Sequence, residues 1–160
     1  SADELFEGIL LKCKNEFEEK KIKYISNIFE QVSFNPQISP DTANQILTLA
    51  NSMTWRKLCI LSLAYKNKSS FLDLIDINFR DNQSELTVER ALLLQDFYEL
   101  SNLGLIYRSD ETYMLSVVDV MPSNIVTSEF GDIYVDVMKL DEIDLEEMSN
   151  FLGLIKKSSR

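Results

Sequence analysis

The 160-residue chain has no histidine. That removes the commonest general base, the Ser-His and Cys-His nucleophile pairs, and every zinc site that needs an imidazole. Glycine and proline are scarce, at 4 and 3 residues, which excludes collagen-like, disordered and linker-dominated chains. The glycines Gly8, Gly104, Gly131 and Gly153 are isolated, so there is no phosphate-cradling loop. No apolar run is long enough for a membrane span, and no signal-peptide pattern precedes the first helix. The two cysteines, Cys13 and Cys59, form no CxxC pair and lie in apolar, helix-like stretches. They read as free buried thiols of a cytoplasmic protein. The opening Ser1-Ala2-Asp3 lacks a methionine and reads as trimmed, with residues expected upstream of it.

What remains is an ordinary globular composition, 45% apolar and 26% charged, in a length that fits a single domain over residues 1–160. The formal net charge is -10, and it is uneven. Residues 1–68 carry 9 basic and 8 acidic groups, whereas residues 69–160 carry 7 basic and 18 acidic ones, net -11. An acidic half repels phosphate backbones and anionic lipid, which argues against nucleic acid as a partner.

The pattern predicts a mainly α fold with a small β hairpin. Phe6, Leu10, Cys13 and Phe17 recur at helical steps, and Tyr24 and Ile28 continue them, giving one helix from Asp3 to about Val32. A second stripe, Ile22, Ile25, Phe29 and Val32, runs along its later half. Ser39-Pro40-Asp41 opens a second helix to about Asn51, and Thr54 caps a third that ends near Lys66. Trp55, Leu58, Cys59, Ile60, Leu61 and Leu63 make this third helix the central core element. Residues 69–86 read as irregular. Thr87 then caps an amphipathic helix ended by Gly104. A hairpin follows, with strands over Leu105–Arg108 and Tyr113–Val118, then a short extended piece at Ile125–Thr127. Ile133, Val137 and Leu140 mark a further helix, and Asp144 with Glu147 opens the last one, which stops at Gly153.

The segment from Thr87 to Leu140, with its helix ending Asn102-Leu103-Gly104-Leu105-Ile106, its hairpin, and Val126-Thr127-Ser128-Glu129-Phe130-Gly131 leading into a closing helix, resembles the winged-helix superfamily. The resemblance divides the chain into a helical part, 1–68, and a winged-helix-like part, 69–160, and implies DNA binding as an alternative function. The overall pattern is also similar to uncharacterised bacterial proteins with a helical N-terminal half, some linked to phage abortive infection, which implies a phage-defence role as a second alternative.

The residues weigh against the DNA reading. The helix from Thr87 sets Glu89, Asp96 and Glu99 against Arg90 alone, and the hairpin sets Asp110, Glu111 and Asp119 against Arg108. Lys12, Lys14, Lys20, Lys21, Lys23, Arg56, Lys57, Lys66 and Lys68 precede that region, interspersed with Glu16, Glu18 and Glu19 as a mixed solvated surface. The acidic run Asp141, Glu142, Asp144, Glu146 and Glu147 suits a helix start better than a metal loop. Phe6, Phe17, Tyr24, Phe29 and Phe34 read by default as core aromatics, and Met114, Met121 and Met138 as gap fillers. No catalytic residue, cofactor or metal is expected.

The leading expectation is therefore a non-catalytic protein-interaction or self-association domain. A first helix with two apolar stripes has more surface than one neighbour covers. Either one stripe seeks a second copy, as a homodimer through Phe6, Leu10, Cys13 and Phe17, or a segment upstream of Ser1, or the helices after Ser39 and Thr54 fold back over both stripes within the monomer.

Overall fold

The computed structural model describes residues 1–158, with all their side chains except that of Cys13. Six α-helices and a two-stranded antiparallel sheet make up the fold: α1 Ala2–Ser33, α2 Pro40–Ser52, α3 Trp55–Lys66, α4 Val88–Asn102, β1 Ile106–Arg108, β2 Ile125–Thr127, α5 Glu129–Met138 and α6 Ser149–Leu152. The mainly α architecture with a small antiparallel hairpin agrees with the sequence pattern.

Most helix starts follow from local chemistry. Ser39, Thr54, Thr87 and Ser128 each accept, through the side-chain oxygen, a backbone N–H three residues on, which satisfies a donor that the helix itself cannot. At the end of α4 the chain reverses through Gly104, whose φ of 77° is left-handed. Leu105 N–H donates to Leu100 O, and Gly104 N–H to Ser101 O, a double closure that delivers the chain straight into β1.

The core centres on α3. Trp55, Leu58, Cys59, Ile60, Leu61, Ser62, Leu63 and Ala64 are all buried, in contact with α1, α4, α5 and β2. Ser62 is the polar exception, and its hydroxyl donates to Leu140 O at 2.5 Å. Beyond α3, Asn67 donates through Nδ2 to the carbonyls of Ser123, at 3.0 Å, and Ile125, at 2.9 Å, and so fixes the entry to β2. α5 crosses the sheet so closely that a Cβ on Gly131 would meet Leu105 O at 2.0 Å.

Two local expectations are corrected, the hairpin partner and the form of the last helix, while the helix expected around Ile133 and Val137 is present as α5. β1 pairs with Ile125–Thr127, in the register Ile106 to Thr127 and Arg108 to Ile125, and Tyr113–Val118 is not a strand. Asp119 explains why: its carboxylate accepts the N–H groups of Leu115 and Ser116, donors that a strand would need, and it closes a 3-10 turn over Val117–Asp119. α5 buries Gly131, Tyr134, Val135 and Met138, while Ile133 is exposed and Val137 half-buried. The last expected helix begins at Asp144 as a 3-10 turn and becomes α-helical only over Ser149–Leu152. Residues 69–86 are irregular, tied down by a bridge between Leu74 and Lys156 and a 3-10 turn at Gln83–Glu85.

Candidate functional site

α1 divides into two unlike halves. Tyr24 and Ile28 are buried on the body, with Ile25 and Val32 packed beside them. From Ser1 to Lys20, every residue with a described side chain is exposed. Phe6, at 62% exposure, Leu10, at 53%, and Phe17, at 42%, share the helix face that carries Tyr24 and Ile28 further on. The stripe that seats α1 on the body therefore runs past the body's edge and out over solvent. Leu5 and Ile9 widen it, and both are exposed. The side chain of Cys13, the fourth residue of the expected stripe, lies outside the described residues.

The fold-back alternative is thereby corrected, because α2 and α3 do contact α1 but leave Phe6, Leu10 and Phe17 uncovered. The core reading of the aromatics fails for the same three-dimensional reason. Phe6, Phe17, Phe29 and Phe34 are exposed, whereas Tyr24 and Trp55 are buried as expected, their rings 5.6 Å apart. In the second stripe, Ile22 and Phe29 are also exposed. Met138 is buried, with Met114 half-buried against the core, as gap fillers should be.

Where α1 leaves the body, it forms a corner with the start of α3 and with α6. The corner encloses about 750 Å³ and is lined by Lys14, Phe17, Lys21, Trp55, Arg56 and Phe151, among others. Lys20 Nζ sits 5.6 Å from the Trp55 ring centre, and Lys21 Nζ donates to Asn51 O at 2.6 Å. Arg56 is held by Asp96 of α4 at 2.6 Å.

The face that a DNA-reading helix would need is differently built. α4 buries Leu93, Leu94, Phe97 and Leu100, and two of its carboxylates bind cations of α3: Asp96 pairs with Arg56, and Glu99 with Lys57 at 2.5 Å. Hydrogen bonds from Lys57 and Gln95 hold Glu99 below its ordinary pKa. Lys68 is paired with Asp132 at 2.6 Å. Burial opposes ionisation of Asp132, but the hydrogen bonds from Lys68 and Thr127 outweigh it and lower its pKa. Arg90 donates to Leu154 O at 2.7 Å and to Glu85 O at 2.8 Å.

Cys59 is a buried free thiol, pushed up to about 12 by desolvation and by the nearby Glu147 carboxylate, so it is not a nucleophile at neutral pH. Asp144 and Glu147 serve as a helix start, with Asp144 N–H donating to Glu147 Oε2 at 3.1 Å. Among the described residues, no three His, Cys, Asp or Glu side chains gather as metal ligands, and no helix is long and apolar enough to cross a membrane. The exposed half of α1 had a sequence signal in the stripe of Phe6, Leu10 and Phe17. The corner had none, since residues from α1, α2, α3, α4 and α6 meet there only on folding.

Searches against family models, curated proteins and solved structures find no match to the chain.

Proposed function

We propose that the chain is a non-catalytic self-association module that docks through the N-terminal half of α1. The observation that carries this reading is the exposed stripe of Leu5, Phe6, Ile9, Leu10 and Phe17, continuous with the buried Tyr24 and Ile28. An amphipathic helix whose apolar face is uncovered gains by burying that face, at about 25 cal/mol per Å² of apolar surface. Contiguous exposed apolar surface of this kind marks a protein contact.

The winged-helix likeness of the C-terminal part stands beside this reading as a likeness of element order: α4, β1, the segment 109–124, β2, α5. The DNA-binding function it implies is disfavoured by the same carboxylates that capture Arg56 and Lys57.

Light scattering across a concentration series tests the proposal. The expected result is a mass that rises to that of a dimer by the micromolar range, and a Leu10→Glu variant that stays monomeric. A parent chain that remains monomeric at several hundred micromolar would sink the reading.

A further inference from the structure

The occupant of the exposed stripe can be specified further, on the premise that the chain self-associates. We infer that the covering element is the same half-helix of a second copy, laid antiparallel about a two-fold axis between residues 11 and 12.

The spacing leads to this arrangement. Positions 6, 10, 13 and 17 are separated by four, three and four residues, an order that reads the same in both directions. A reversed copy therefore presents the same steps and interdigitates with the first. Phe6 then faces the second copy's Phe17, position 10 faces position 13, and one layer further out Asp3 faces the second copy's Lys20. The flanking positions agree. In an antiparallel pair the residue after Phe6 lies beside the residue three before Phe17, so Glu7 meets the second copy's Lys14, and the two-fold axis repeats that contact. Among the described residues, neither Glu7 nor Lys14 has an ion-pair partner within its own chain. The register thus forms four oppositely charged contacts while covering the apolar stripe.

The body supplies a second reason. Because Tyr24 and Ile28 seat the body on the same helix face, a parallel pair would drive the two bodies into each other. The antiparallel pair places them at opposite ends. It also brings each copy's acidic first turn, Asp3 and Glu4, to the other copy's corner, where Lys14 and Lys21 lie on the lining with Glu18.

Charge reversal on the whole chain tests the register. Glu7→Lys gives a copy with lysine at positions 7 and 14, and Lys14→Glu gives one with glutamate at both. Each variant alone should associate about tenfold or more weakly than the parent, because two attractive contacts become repulsive. An equimolar mixture of the two should recover parental association, since every contact across the heterodimer is then Lys against Glu. Matching thermal melts of the variants at monomeric concentrations establish that both fold. Variants that associate like the parent, or a mixture that stays as weak as its components, would overturn the antiparallel register while leaving self-association intact. A parent chain with no dimer at all would overturn both.

Discussion

α3 and the first half of α1 are both rich in apolar residues, yet eight of the twelve residues of α3 are buried, and between Ser1 and Lys20 no described side chain is. Apolar residues are denser in α3, but density alone does not leave Phe6, Leu10 and Phe17 in solvent. α3 is covered because α1, α4, α5 and β2 surround it, whereas the exposed half of α1 has left the body. Burial is therefore a property of neighbours, and an amphipathic stripe records only which face of a helix is available for them.

The sharpest way to break this contrast is to remove volume from α3. Leu58→Ala should destabilise the fold by about 2–5 kcal/mol in denaturant titrations, since Leu58 is fully buried. A loss below 1 kcal/mol would mean that α3 does not anchor the core. Gly131→Ala should cost about 3 kcal/mol, because the added methyl meets a backbone carbonyl of the β1 approach and neither main chain can step aside alone. The same titration reads that loss.

Alkaline pH sharpens the contrast without a core substitution. In a Cys13→Ser background the remaining thiol, Cys59, titrates in the unfolded chain from its ordinary value of 9.0 but in the folded one only at about 12. Stability from this group is full below pH 9 and falls as pH rises towards 12. Tyr24, raised from 10.0 to about 12 by burial and then by Glu147 and Glu142, acts in the same direction. The expected result is a melting temperature that declines across that window, with Cys59 unreactive to a thiol reagent at pH 7 until the protein unfolds.

Two smaller effects belong to α1. Gly8 has open space around its missing Cβ, so Gly8→Ala should strengthen the helix by about 0.5–1 kcal/mol and tighten association correspondingly. Sedimentation equilibrium would read the change in dimer constant. Leu10→Glu should alter the monomer's stability by no more than about 0.5 kcal/mol, measured below the association range. A larger loss would show that the stripe contributes to the monomer's own core.

Much of the fold was legible because helix starts carry short-range chemistry: Ser39-Pro40, Thr54 and Thr87 each cap the helix that they announce. The hairpin partner was misplaced because Tyr113-Met114-Leu115 has a strand-forming composition, while Ser116 and Asp119, three apart, belong to a turn that consumes the same backbone donors. That spacing was visible, and it outweighed composition. The exposed apolar face of α1 was also visible as periodicity. Which stretch of it stays uncovered was not, since that depends on where the bodies of α2, α3 and α6 end in space.

Asn67 ties the two-stranded sheet to the core helix. Three residues per strand make a sheet too short to persist alone in water, yet one amide at the end of α3 grips the carbonyls of Ser123 and Ile125, where β2 begins. Opening the sheet therefore requires releasing α3's terminus. The backbone amides of β1 and β2 should exchange with solvent deuterium on the timescale of α3, as one cooperative unit, although a free ribbon of that size would exchange almost at once.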